Sequence, residues 1–230
     1  GRIKFGTESN GGFKNITISN INFVHCRGLA IETVDGGFIE DVVISNITMR
    51  DITTAPIFIR LGKRQRAPEG TPVAKIRRII IENVVASDAH SEFASIIAGL
   101  AESPVEDVRL SNIRIHYKGG GTSEDARREV PENEKNYPEP SMFGVIPAYG
   151  FYVRHARGIT FDNIELSFER DEARPAFVLD NVGSIEFFRT NAEVSGGAVM
   201  FALKKVSNFG VSQSKNVEDA KLERVEQKSF

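Results

Sequence analysis

Charged side chains recur at similar positions of several short apolar strands, and these residues are the ones best suited to bind an anion. If the flanking apolar residues point inward, Lys4, Glu32 and Arg60 point outward, and Arg154 does the same on a later strand. An arginine in such a row can hold a carboxylate through two parallel hydrogen bonds. The alternative is a surface ladder of alternating charges, in which each ion pair contributes about 1 kcal/mol or less. Both interpretations stay open at this point.

Three further residues are candidates for binding. Glu8 lies beside a turn-like Ser-Asn-Gly-Gly segment, where it either binds ligand hydroxyls or stabilises the turn. His155 ends an apolar strand and has either a structural or a binding role, and Tyr137 either stacks on a ligand ring or packs under a loop. Cys26 is the one cysteine, and no histidines are spaced as metal ligands, so we expect neither a metal nor a cofactor.

An internal repeat supplies the elements that must position these residues. Its copies alternate apolar and polar residues with period two, which predicts a strand with one buried face. The clear copies are residues 15–21, 41–47, 78–84, 107–113 and 158–164, and the weaker ones are 184–187 and 208–211. Between them lies a second set of short apolar strands, at 2–7, 29–33, 56–61, 95–100, 150–154, 176–180 and 199–203.

The spacing of the repeat predicts an all-β solenoid. The period is about 25 residues, with two or three short strands in each repeat, and this is typical of a parallel β-helix. A leucine-rich repeat has a similar period, but its Leu-x-x-Leu-x-Leu signature is absent. We therefore expect residues 1–230 to form one parallel β-helix domain of about seven coils.

Asparagines recur at one step of the repeat. Asparagine tolerates a left-handed backbone, and its amide both donates and accepts, so a column of asparagines can turn the chain and hydrogen-bond along the stack. The column is Asn20, Asn46, Asn83, Asn112 and Asn163. Arg189 and Gln213 replace it in the last two copies, where we expect the ladder to end.

Two segments depart from the repeat. Residues 118–147 form a long insertion that begins with three glycines, and we expect it to pack against an outward face of the solenoid, with a decorative loop as the alternative. Residues 216–230 form a charged tail that either caps the last coil or trails from it. The chain begins as if in mid-strand, which suggests a domain truncated at its N-terminus.

The composition excludes several classes of protein. Lys and Arg number 29 and Asp and Glu 31, for a net charge of −2, so a generic nucleic-acid binder is not expected. No apolar run approaches the ~20 residues that span a bilayer, so no membrane partner is expected. An unpaired coil end would allow end-to-end self-association.

The sequence resembles glycoside hydrolase family 28, the polygalacturonase family. The resemblance rests on the glycine-rich segments 6–16 and 28–37 and on the insertion motif Tyr-Pro-Glu-Pro-Ser-Met-Phe-Gly at 137–144, which is similar to a segment of bacterial members. It covers nearly the whole chain and implies a right-handed parallel β-helix that hydrolyses pectic polysaccharide with inversion, using a carboxylic acid and opposing carboxylates. On this view the outward residues bind an anionic sugar, and Arg60 or Arg154 clamps a uronate carboxylate.

The sequence departs from the family pattern in three places. The Asn-x-Asp and Asp-Asp motifs of the catalytic aspartates have no match here, so the resemblance places them upstream and implies that this chain alone is inactive. The histidine of a common Gly-His-Gly motif would fall at Gly1, and Ala30-Ile31-Glu32 replaces a usual Arg-Ile-Lys. Family members with this pattern are therefore expected to bind a different sugar, or to bind the sugar differently.

Two functions from different classes follow. The first is the C-terminal part of a pectin-degrading hydrolase, secreted or periplasmic in its full-length form, with an anionic pectic polysaccharide as its partner. The second is a carbohydrate-binding or structural β-helix without catalysis. The fold alone does not decide between them, because β-helices carry both kinds of function.

Overall fold

The computed structural model describes residues 1–195 and 197–230, and nearly all of its regular structure is β-strand. Two single-turn 3-10 helices, Asp125–Arg127 and Pro140–Phe143, interrupt the strands. In chain order the strands are β1 (Ile3–Phe5), β2 (Phe13–Cys26), β3 (Leu29–Thr33), β4 (Phe38–Ile52), β5 (Ile57–Leu61), β6 (Lys75–Ala89), β7 (Ser95–Ala98), β8 (Val105–Gly119), β9 (Phe151–Arg170), β10 (Phe177–Ala192), β11 (Phe201–Ser212) and β12 (Ala220–Ser229).

The strands stack as the coils of a right-handed parallel β-helix, which confirms the predicted fold. Coils 1 to 4 consist of the pairs β1–β2, β3–β4, β5–β6 and β7–β8, and coils 5 to 7 consist of β9, β10 and β11. We call one wall of the solenoid the front sheet. It contains β1, β3, β5 and β7 together with residues 151–154, 177–180 and 201–204, all paired in parallel.

The long strands turn corners at residues with a left-handed backbone. The asparagine column lies at one of these corners, where Asn20 has φ 61° and Asn163 has φ 55°. The side-chain amide of each asparagine donates to the amide oxygen of the preceding one, over 2.9 to 3.1 Å. Arg189 and Gln213 keep positive φ without an asparagine side chain, so the ladder ends where the sequence predicted.

The core consists of apolar columns inside the solenoid. Each inward position of the front sheet stacks on the same position of the next coil, because the parallel register never slips along this sheet. One such column is Ile31, Ile59, Ile97, Val153, Leu179 and Leu203, all buried. Phenylalanines continue the core through coils 5 to 7, where the rings of Phe161 and Phe187 stack at 4.7 Å.

The two segments outside the repeat, the insertion and the tail, both pack against the solenoid. The insertion, defined here as residues 120–150, begins two residues later than the sequence suggested because Gly119 still pairs with Arg170. The tail forms β12, which pairs antiparallel with β11, and Phe230 packs on Phe201 and Phe209, so the tail covers the last coil. Among the residues described, no helix has the length and apolar character needed to cross a membrane.

Candidate functional site

The middle of the front sheet is apolar on both sides. Phe58, Ile96 and Tyr152 point outward from coils 3 to 5, and each is buried. The insertion covers them with Phe143 and Ile146, which pack against them to form a second hydrophobic cluster. The insertion therefore lies against the outward face of the front sheet, as predicted, and its middle part is fixed there by burial of apolar surface.

Two predicted binding residues, Arg60 and Arg154, hold the backbone of the insertion. Arg60 donates to the carbonyl oxygen of Glu132 at 2.8 Å and to that of Gly99 at 3.2 Å. Arg154 donates to the carbonyl oxygens of Val130 and Pro131 at 2.7 and 2.8 Å. Burial, followed by the charge of Arg154, lowers the pKa of Arg60 to about 10. Both guanidinium groups are buried beneath the loop that they hold.

The predicted ladder of alternating charges is present only at its first step. Lys4 Nζ lies 2.9 Å from Glu32 Oε2, although Lys4 is paired in register with Ala30. Glu32 is paired with Arg60, but the Arg60 side chain turns to the carbonyl groups of the insertion and of coil 4 instead. The ladder prediction was wrong beyond Lys4 and Glu32, because backbone carbonyls compete for the arginine.

The tip of the insertion reaches coil 1 and builds a cluster of charges there. Glu139 accepts two hydrogen bonds from Arg2, at 2.6 and 3.2 Å, and one from Arg27 at 2.7 Å. Lys4 Nζ lies 3.9 Å from the same carboxylate. We call Arg2, Lys4, Arg27, Glu32, Tyr137 and Glu139 the tip cluster.

The electrostatics of the tip cluster differ from one residue to the next. Burial raises the pKa of Glu32, and the neighbouring Lys4 only partly opposes this shift. Burial by itself would lower the pKa of Arg2, but the hydrogen bonds and charge of Glu139 outweigh it and leave that pKa raised. The cluster thus holds one carboxyl that resists ionisation and one guanidinium that is firmly charged.

Tyr137 provides an accessible aromatic surface in this cluster. The residue is 52% exposed, and Lys4 Nζ lies 4.9 Å from the centroid of its ring. Its hydroxyl lies 3.4 Å from Thr7 Oγ1 and 3.2 Å from Lys4 Nζ, and these hydrogen bonds lower the pKa of Tyr137. An exposed tyrosine ring beside a cation can stack on a sugar and leave polar groups free to bind its substituents.

Glu8 is linked to Tyr137 through Arg64, which belongs to a buried ion pair. Arg64 donates through Nε to Asp35 at 3.0 Å and reaches Glu8 at 3.3 Å, and its guanidinium lies 5.9 Å from the Tyr137 ring centroid. The Glu8 side chain is 69% exposed. It can therefore meet a ligand while Arg64 and Asp35 keep the wall behind it in place.

His155 lies at a corner of coil 5, beside the insertion. Its Nε2 lies 3.0 Å from Glu132 Oε1, and its Nδ1 lies 2.7 Å from Asn181 Nδ2. With the asparagine amide as donor to Nδ1, the proton of a neutral ring sits on Nε2 and points to Glu132. These contacts place His155 among the groups that hold the insertion.

The structure divides the predicted site residues into two groups. Lys4, Glu8, Glu32 and Tyr137 come together at coils 1 and 2, whereas Arg60, Arg154 and His155 lie under or beside the insertion. Sequence reasoning missed Arg2, Arg27 and Glu139, which meet across more than a hundred residues. The signal in the sequence was Glu139 itself, an acidic residue between two prolines in the insertion motif.

Two outward carboxylates of the front sheet can be compared with what inverting hydrolysis needs. Glu32 and Asp180 point outward from coils 2 and 6 of the front sheet, four strand spacings or ~19 Å apart. An inverting pair requires roughly 6.5–9.5 Å, so these two do not form one. In the part of the chain that the structure describes, no three potential metal ligands come together.

The fold and this site define a right-handed parallel β-helix that carries a charged cluster with an exposed tyrosine at the first coils of its front sheet. Residues 4–135 match the sequence model of the family described as Glycosyl hydrolases family 28. The chain belongs to this family, and it is therefore a glycoside hydrolase domain. Comparison with curated proteins gave no match, and comparison with solved structures gave none either.

Proposed function

We propose that the chain is the C-terminal part of a hydrolase that cleaves anionic pectic polysaccharide, of the polygalacturonate or rhamnogalacturonan type, with inversion. The observation that carries the proposal is the tip cluster, where an exposed tyrosine ring lies beside Arg2, Lys4 and Arg27. An aromatic surface next to several cations suits a uronic acid, whose ring can stack while its carboxylate is bound by charge.

The acid and base of the reaction belong to coils before Gly1 in this proposal. The missing Asn-x-Asp and Asp-Asp motifs support it. The tip cluster lies on coils 1 and 2, next to where such coils would stack, so it would bind sugar units beside the cleaved bond. The full-length protein is proposed to be secreted or periplasmic, where pectic polymers are found.

A reducing-sugar assay on polygalacturonate and rhamnogalacturonan tests the proposal, with this chain and the product of the full gene assayed side by side. The full product should release sugar, and this chain alone should not. Proton NMR of the first anomer formed should reveal inversion. In the full product, Lys4→Gln should reduce cleavage, whereas Lys14→Gln, which removes a charge away from the front sheet, should not.

The alternative is a carbohydrate-binding or structural module without catalysis, which the missing aspartate motifs also support. It predicts that the full product binds pectic sugars and releases no reducing ends from either polymer. Release of sugar by this chain alone would instead show that its own residues supply the acid and base.

A further inference from the structure

We propose that Arg2, Lys4 and Arg27 form an anion site for the carboxylate of a uronic acid unit, and that Glu139 competes with that carboxylate for the site. The inference rests on the proposed function, which it deepens by naming the sugar group that binds and the residue that opposes binding. In this proposal the Glu139 carboxylate occupies the position that the sugar carboxylate would take.

The side chains around Glu139 have the geometry of a carboxylate-binding site. A guanidinium group binds a carboxylate best through two parallel hydrogen bonds, and Arg2 binds Glu139 in this way at 2.6 and 3.2 Å. Arg27 adds a third hydrogen bond at 2.7 Å, and Lys4 adds a nearby charge at 3.9 Å. The three cations thus converge on one carboxylate position, and a sugar carboxylate would fit the same donors.

One of the three cations, Lys4, does not depend on Glu139 for its position, whereas the side-chain hydrogen bonds of Arg2 and Arg27 go to Glu139. Lys4 is also held by Glu32, which is buried and lies 2.9 Å away, and by the Tyr137 hydroxyl at 3.2 Å. If Glu139 turned away, three cations would face one remaining carboxylate. The resulting excess of positive charge would attract an anion from solution.

A rotation of the Glu139 side chain is enough for a sugar carboxylate to replace it among the cations. Pro138 and Pro140 flank Glu139, and both are buried. Proline fixes its own φ angle and restricts the residue before it, so the backbone of the tip is held in place. The Glu139 side chain is 16% exposed, and turning it into solvent breaks only side-chain contacts, so the tip can stay docked.

Tyr137 lies close to the anion site, because Lys4 contacts both. Lys4 Nζ lies 3.9 Å from the Glu139 carboxylate and 4.9 Å from the centroid of the Tyr137 ring. A single sugar unit could therefore place its carboxylate among the cations and its ring against the tyrosine. This pairing selects a uronic acid over the corresponding neutral sugar.

Calorimetric titration of the 230-residue chain with galacturonic acid and with galactose tests the inference. Glu139→Gln removes the competing charge and keeps the shape, so it should bind galacturonic acid about tenfold more tightly and bind galactose as before. The gain should shrink as salt is added. The matched control is Glu165→Gln, which breaks a 2.7 Å pair with Arg114 away from the front sheet and should change neither affinity.

Unchanged or weaker binding of galacturonic acid by Glu139→Gln, in a variant with the wild-type circular dichroism spectrum, would overturn the inference. So would a failure of both proteins to bind galacturonic acid. If Glu139→Gln does not fold, Arg27→Gln decides, since the Arg27 side chain is 50% exposed and its loss is tolerable. This variant should bind galacturonic acid severalfold more weakly than wild type and bind galactose as before. If Arg27→Gln binds galacturonic acid as tightly as wild type does, the anion site is refuted.

The outcome of the calorimetric titration can be distinguished from the outcome of the reducing-sugar assay that tests the proposed function. Tighter binding by Glu139→Gln, together with a full product that cleaves nothing, would keep the anion site and reject the hydrolase. Cleavage by the full product, with no effect of Glu139→Gln on affinity, would reject the inference and keep the hydrolase.

Discussion

The insertion is attached to the solenoid in two different ways along its length. Over coils 3 to 5 it is fixed by apolar burial of Phe143 and by arginines that bind its backbone carbonyls. Over coil 1 it is fixed by side-chain charges, chiefly those between Glu139 and Arg2. The first attachment leaves nothing for a ligand to replace, whereas the second consists of groups that a charged sugar also offers.

This difference separates a structural task from a binding task within one loop. A backbone carbonyl cannot leave its arginine unless the loop itself moves, so Arg60 and Arg154 act as supports. A side-chain carboxylate can leave by rotation alone. We infer that the middle of the insertion provides rigidity, and that the tip uses this rigidity to present Tyr137 and a group of cations.

The largest expected effect lies in the middle of the insertion. Phe143→Ala should lower the free energy of unfolding by about 3–5 kcal/mol, because it leaves a cavity in a closed apolar cluster. Urea denaturation followed by circular dichroism measures the change. Val24→Ala, at a residue 57% exposed, should cost less than about 0.5 kcal/mol. Equal losses for the two variants would mean that the insertion is not packed as described.

The arginine supports should show a smaller effect of the same kind. Arg60→Met should cost about 1–3 kcal/mol, because the buried carbonyl of Gly99 loses its donor. Arg27→Gln at the tip, which loses a half-exposed ion pair, should cost no more than about 1 kcal/mol. A more stable Arg60→Met protein would show that burying this charge costs more than its hydrogen bonds return.

At the tip, the effect should appear in binding rather than in stability. Tyr137→Ala should weaken binding of a galacturonate trisaccharide by up to about tenfold, since ring contacts contribute about 0.5–1.5 kcal/mol. Its unfolding midpoint in urea should hardly change. Tyr137→Phe keeps the ring and should bind nearly as well as wild type. A large loss of stability in Tyr137→Ala, with unchanged binding, would place the tip with the structural part of the loop.

The smallest expected effect is a pH dependence caused by Glu32. Its pKa is raised in the fold, so its contribution to stability is complete below about pH 4.3, the ordinary pKa of glutamate, and is lost as pH rises through the folded pKa. Melting temperatures between pH 4 and 7 should therefore fall for wild type relative to Glu32→Gln.

Asp35 on the same coil provides the opposite control. Burial alone would raise its pKa, but the Arg64 partner leaves it lowered, so its stabilisation is present at neutral pH and is lost as pH falls toward acid. Asp35→Asn should therefore be at its greatest disadvantage at neutral pH. Parallel pH profiles for the Glu32 and Asp35 variants would contradict both assignments.

The solenoid could be predicted because its information is local and repeated. Each copy has period two, and each asparagine recurs at the same step, so the corners and the ladder follow from the sequence. The cover over the front sheet could not be predicted in the same way. One signal was present, since Ile57, Phe58 and Ile59 are apolar in succession, which is typical of a strand buried on both faces.

The tip cluster was the least predictable part of the site. Arg2 and Glu139 are 137 residues apart, and no periodicity connects a loop to the coil it touches. The alternation rule placed Lys4, Glu32 and Arg60 outward correctly, but it says nothing about which neighbour each side chain selects. Arg60 binds the backbone carbonyls of Gly99 in coil 4 and of Glu132, and only the folded insertion brings the second one near.

The reach of the insertion has a further consequence for how this protein can evolve. Solenoids commonly gain or lose repeats, because each coil contacts only its neighbours. Here the loop leaves the stack at the end of coil 4, is fastened at coil 1 and returns to the stack at coil 5, four spacings or ~19 Å from coil 1. Deleting or adding one coil between them would shift Glu139 past Arg2 by ~4.8 Å. The insertion therefore constrains the number of coils that can lie between coil 1 and coil 5.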